Sequence, residues 1–129
     1  MKNIALSFNI HNPNKGVSTN VTKYFPHISD IYEEMYAIAT SATHNDVISV
    51  LEAQGVQVIP QTGGGVGLEY ISDARRQALE ISIKNDNEYT HFIEFDRLLQ
   101  WVSSYPHELK AVVEKIPDYE FLVLGRTLK

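Results

Sequence analysis

"MYAIATSATHNDVISVLEAQGVQVIPQ", residues 35–61, decides the fold. It opens with "MYAIATSA", a short and mostly apolar run of the kind that forms a buried strand. "HNDVISVLEAQG" follows as a short helix, with Asn45 or Asp46 as its expected cap and Gly55 as its stop. "VQVIPQ" is then a further strand, closed by Pro60. A strand, a helix and a strand in direct succession predict a parallel sheet with helices as its crossovers.

The same alternation runs outward in both directions. Upstream, "NIALSFNI" reads as strand one, ending in the turn residues of "HNPNKG". From Ser18 onward, Val21, Tyr24, Phe25, Ile28, Ile31, Tyr32 and Met35 recur at spacings of three and four, which predicts a helix kinked or divided at Pro26. Downstream, the glycine-rich "TGGGVG" feeds a helix whose expected inward face is Ile71, Ala74, Ala78 and Ile81. "YTHFIEFD" is the fourth strand and "YPHELKAVVEKIP" a helix with Pro106 near its start and Leu109, Val112, Val113 and Ile116 inward. "YEFLVLGR" is the fifth strand. In such a sheet, ligands bind outside the carboxyl ends of the strands.

With 129 residues and 43% hydrophobic content, the chain is expected to form one domain. A formal charge of -5, without any block of five like charges, argues against nucleic acid or an anionic membrane as the main partner. With no cysteine, disulfides and thiolate metal sites are excluded, so a metal would need oxygen ligands or histidine. No segment approaches the ~20 apolar residues of a membrane span, and the expectation is a soluble, cytoplasmic protein.

Chemistry is expected where strand four runs out. Glu94 and Asp96, two apart on a strand, would project to the same side at its carboxyl end, a placement suited to Mg²⁺ or Mn²⁺ shared with substrate phosphates. The alternative is structural: Glu94 pairs with a neighbouring base and Asp96 caps a turn beside Arg97. Around Gly63, Gly65 and Gly67 the dinucleotide fingerprint fails, because its third glycine falls on Leu68 or Tyr70. What remains is a glycine loop ahead of a helix N-terminus, either a phosphate cradle through Gly65 and Gly67 or a hinge. Arg76 has Asp73 and Glu80 at helical spacing, whereas Arg75 has no such acidic partner and is the better anion-binding candidate. His44 and His107 are expected to be solvated.

Taken together, these pieces resemble the donor-binding half of a family-two glycosyltransferase of the type A sugar-nucleotide transferase fold, especially enzymes that transfer sugars to polyprenyl phosphates. "TSATHNDVISVLEAQGVQVI" resembles the segment with an Asp-Asp-Gly-Ser-Thr-Asp core, and "GVGLEYISDARRQAL" the Gly-x-Gly stretch and Ala-Arg helix. "FIEFDRLLQWVSSYPHELKAVVEKIPDYEFLVLGRT" resembles the Asp-x-Asp strand, the Pro-containing turn and helix, and the strand ending Gly-Ser-Arg. The resemblance implies a three-layer α/β/α, Rossmann-like domain with a mostly parallel sheet of about five strands over residues 1–129.

It further implies that Glu94 and Asp96 hold Mg²⁺ or Mn²⁺ and the donor diphosphate, with Arg75 near the donor. The partner would be a nucleotide-diphospho-sugar. Thr40, Ser41, Ala42 and Thr43 stand where the family has its acidic pair, and only Asp46 matches the last Asp of that segment. Family members continue past the Gly-Ser-Arg strand into an acceptor-binding half that supplies the catalytic base. Residues 1–129 are therefore expected to be a truncated or minimal donor domain, and no catalytic residue is assigned. A different expectation is a non-catalytic module that self-associates, as a homo-oligomer, through the apolar edge "FLVL" of strand five.

Overall fold

The computed structural model describes residues 4–11, 17–29, 31–61, 68–85 and 89–116, the side chains of 17 and 68–72 excepted. Four strands make one parallel sheet: β1 (Ile4–Ile10), β2 (Glu34–Ala39), β3 (Gln57–Pro60) and β4 (Tyr89–Phe92), in the order β3-β2-β1-β4. The helices are α1 (Val17–Tyr24), α2 (Asn45–Ala53), α3 (Leu68–Lys84), α4 (Phe95–Ser104) and α5 (Pro106–Lys115), with a 3-10 turn at Phe25–His27. The architecture is α/β and compatible with a Rossmann-like fold. The expected fifth strand, residues 119–126, lies outside the described residues, as do Gly65 and Gly67, and Ile71 is among the side chains left undescribed.

All seven residues of β1 are buried, as a strand flanked by two others and covered on both faces must be. Its alternate side chains divide between two layers. Ile4, Leu6, Phe8 and Ile10 enter the main core with Val21, Phe25, Val47, Leu51, Leu98, Val102, Leu109 and Val113 from the helices other than α3. On the opposite face α3 packs on β1, β2 and β4 through Ala74 and Ala78, which meet Ile38. Small residues bring this helix close enough for polar locks. Ser7 Oγ donates to the Ala78 carbonyl, and Ser82 and Thr90 hydroxyls lie 2.6 Å apart.

Three expectations are corrected. The stripe from Val21 to Met35 divides at Pro26 as expected, but no second α-helix follows: α1 stops at Tyr24, Pro26 sits in the 3-10 turn, and Met35 belongs to β2. Proline removes an N–H and clashes with the preceding turn, so the apolar residues after it reach the same core from a loop and a strand. The cap of α2 is His44, whose Nδ1 accepts from the Asp46 N–H at 3.1 Å, so His44 is a helix cap and not merely a solvated side chain. Gly55 does end this segment, at a φ of 88° that side chains disfavour.

The third correction governs the site. β4 ends at Phe92, and "FDRLLQWVSS" is a helix, α4, where the alternation in "YTHFIEFD" predicts continuing strand. Phe95, Leu98 and Val102 are its buried residues, at helical spacing. Phe95 stacks on Phe8 of β1, with ring centroids 5.5 Å apart and planes 17° apart, while Phe25 meets Phe8 edge-on at 6.3 Å. This aromatic contact pins the start of α4 over the end of β1. No helix among the described residues is long and apolar enough to cross a membrane.

Candidate functional site

From β1 the chain moves outward through β2 to β3, then returns past β1 to β4. The direction of winding reverses between β1 and β4, and in open parallel sheets the crevice at such a reversal is where ligands bind. Residues from four segments meet there: Asn9 and His11 at the end of β1, Thr40 just after β2, Arg75 on α3, and Glu94 and Asp96 at the start of α4. Phe95 completes the lining of a cavity of about 200 Å³. An adjoining opening of about 480 Å³ shares Arg75, Glu94 and Asp96 and adds Arg97 and Gln100.

The backbone fixes these residues closely. Ile93 N–H still donates to the Ser7 carbonyl at 3.3 Å, one residue past β4, and Leu98 N–H returns to the Glu94 carbonyl at 2.9 Å to open α4. Glu94 is thus the N-cap of α4, in extended conformation, rather than a strand residue. Its carboxylate makes no capping bond to the helix. It meets Arg75 instead, Nη2 to Oε1 at 2.6 Å, with the two side chains 49% and 39% exposed. Asp96 follows in the first helical turn.

Glu94 and Asp96 do line one cleft at the carboxyl edge of the sheet, but not through the local structure their spacing predicts. They converge because α4 starts at the sheet edge, and not because they alternate along a strand. Arg75, which has no acidic partner at helical spacing, finds one across the fold. Arg76 pairs with Glu80 at 2.8 Å and Asp73 at 3.4 Å on the outer surface of α3, as its spacing predicts. His107 is exposed.

Two features of the cleft escape the sequence reading. His11 Nδ1 lies 2.7 Å from Thr40 Oγ1, tying the ends of β1 and β2 together beside the opening. Asn9, one of the residues lining the cavity, is only 7% exposed, and its Oδ1 has no hydrogen-bond partner. A buried amide oxygen without a donor costs roughly 1–3 kcal/mol, so its retention calls for a reason. The signal was there in "SFNI": asparagine is depleted in strands, and this one lies at the ligand-binding end.

As a donor set for Mg²⁺ or Mn²⁺, Glu94 and Asp96 offer the oxygen ligands these cations take. Among the described residues no group of three or more His, Asp or Glu side chains is placed to hold a metal ion by itself. Both carboxylates line the same cleft, and Glu94 is engaged there by Arg75 at 2.6 Å, so a cation held by them would take its remaining ligands from phosphate oxygens and water.

A second polar group lies inside the protein. Tyr32 hydroxyl and His91 Nδ1 are 2.7 Å apart, the two rings stack at 5.9 Å, and Trp101 meets the His91 ring edge-on at 6.5 Å. Burial holds the His91 imidazole down to about 4 and pushes the Tyr32 phenol up, so both are neutral near pH 7. The Trp101 Nε1 is also buried, without a hydrogen-bond partner.

Compared with known proteins, the chain matches no family model, no curated protein and no solved structure.

Proposed function

We propose that this domain binds the diphosphate of a nucleotide-sugar at the carboxyl edge of its sheet, with Mg²⁺ or Mn²⁺ held by Glu94 and Asp96. The observation that carries the proposal is the convergence of Arg75, Glu94 and Asp96 on one cleft at the β1/β4 reversal, beside Asn9, whose Oδ1 has no hydrogen-bond partner. The resemblance to the type A sugar-nucleotide transferases supplies the ligand class. Arg75 would pair with phosphate oxygens, and Asn9 Oδ1 would accept from an N–H or O–H of the donor. When bound, the cation supplies positive charge to a departing nucleoside diphosphate. In this proposal the sugar passes to an acceptor hydroxyl or phosphate as the nucleoside diphosphate departs.

Calorimetry with UDP- and GDP-sugars, with and without Mn²⁺, is the direct test. Binding to at least one donor is expected only when the metal is present. At a hundredfold excess over Kd, that binding should stabilise the fold by about 2.7 kcal/mol in a thermal melt. Asp96→Asn should shrink the shift, while Asp73→Asn, on the outer surface of α3, should leave it intact. Absence of metal-dependent binding to every donor would overturn the proposal.

A further inference from the structure

We infer that the cleft takes the cation and the diphosphate together and resists either one alone, because Arg75 and Glu94 must exchange partners with both. This rests on the donor-binding proposal above and concerns how that site discriminates among its ligands.

The starting point is the 2.6 Å contact between Arg75 Nη2 and Glu94 Oε1. It joins two elements, α3 and the N-cap residue of α4, whose carboxylate makes no bond to its own helix. In the same opening, Asp96 and Arg97 have no ion-pair partner among the described residues. The cleft thus contains two carboxylates and two guanidiniums, with one of each already engaged.

A divalent cation arriving alone finds Glu94 neutralised by Arg75. To use both carboxylates it must separate the pair and leave Arg75 without an anion, with Arg97 adding like charge nearby. A diphosphate arriving alone meets the converse obstacle: Arg75 is engaged, and Glu94 and Asp96 repel it. With both present, every charge has a partner. The carboxylates turn to the cation, and the guanidiniums turn to phosphate oxygens, which their planar donors suit. The two side chains are 49% and 39% exposed, so the exchange requires rotamer changes and no opening of the core. Asn9, more than nine-tenths buried and with an Oδ1 that has no donor, lines the adjoining cavity shared by Arg75, Glu94 and Asp96, which distinguishes this place from a purely surface ion-pair cluster.

Affinities coupled in this way are reciprocal: whatever factor the diphosphate adds to metal binding, the metal adds to diphosphate binding. The experiment follows free Mn²⁺ by its electron spin resonance signal during titration of wild type, Arg75→Gln and Glu94→Gln, without nucleotide and with UDP or GDP. In wild type, Mn²⁺ should bind weakly alone and more tightly with the nucleotide that binds. Arg75→Gln should tighten binding of Mn²⁺ alone by about fivefold, the scale set by loss of one exposed ion pair, and should reduce the enhancement by nucleotide. Glu94→Gln frees Arg75, so calorimetry without metal should register tighter nucleotide binding than in wild type. If wild type binds the metal with nucleotide but Arg75→Gln leaves metal-alone affinity unchanged or weaker, the exchange is overturned while the donor-binding proposal stands. If wild type binds neither ligand under any condition, both are overturned.

Discussion

His91 and Glu94 are close neighbours in the chain, yet they end in opposite surroundings. His91 points from β4 into the main-core side of the sheet, where Tyr32 meets it at 2.7 Å and Trp101 closes over its ring. Glu94 stands at the carboxyl edge, half exposed, paired with an arginine that is also half exposed. One group is neutral and enclosed; the other is charged and open to exchange. The difference teaches how a single β-strand end can serve two purposes. The enclosed Tyr32–His91 pair is buried partner against partner, whereas the cleft combines a half-exposed ion pair with the Asn9 Oδ1, which has no donor.

The largest test of that distinction is acid. His91 has a native value of about 4, against roughly 6.5 for the unfolded chain, so the unfolded state binds its proton more readily. The stability tied to its neutral form is therefore complete above about pH 6.5 and falls as pH drops towards 4. The full loss is about 3 kcal/mol, with about 2 kcal/mol gone by pH 5. Denaturant melts at pH 7.5, 6 and 5 should register this decline, and in His91→Gln the slope over the same window should be much flatter. Equal slopes in the two proteins would mean that His91 is not enclosed as described.

Tyr32→Phe probes the same pair more gently. It keeps the ring in the core but deprives His91 Nδ1 of its partner, and a buried polar atom so stranded costs about 1–2 kcal/mol. The denaturation midpoint should fall with an unchanged denaturant slope. Cleft ligands should bind as to wild type, since Tyr32 borders neither opening.

How much of this was legible beforehand follows from which interactions are local. The strand-helix alternation through "MYAIATSATHNDVISVLEAQGVQVIPQ" is a matter of periodicity and turn residues, and it survives in β2, α2 and β3. "YTHFIEFD" misleads because Phe92, Ile93 and Phe95 suit a strand as well as a helix entry; the decision falls to Phe95 stacking on Phe8, a contact between distant segments. The Arg75–Glu94 pair is likewise tertiary, invisible to any rule about helical spacing. Residue types at the cleft could be named from sequence; who neutralises whom could not. Tyr32 shows the same limit from the other side, since its spacing assigns it to a helix while its contacts tie it to β4.

The smallest effect has the opposite sign. Asn9→Leu removes a buried oxygen that lacks a donor and replaces it with an apolar side chain of similar size, on a strand whose residues are all buried. Relief of the desolvation penalty should raise stability by about 1 kcal/mol, less if the branched side chain crowds Arg75 or Phe95 at the cavity wall. If Asn9 is kept for a ligand, the gain in stability comes with a loss of donor affinity, because the N–H or O–H it would accept from is left facing carbon. The corresponding change in the enclosed group, Tyr32→Phe, lowers stability and leaves donor binding alone. Melting curves and donor calorimetry on both variants therefore cross: each should lose what the other keeps. A destabilised Asn9→Leu that binds donor as wild type does would make Asn9 a structural residue, and the separation between the enclosed pair and the open cleft would fail at its most buried member.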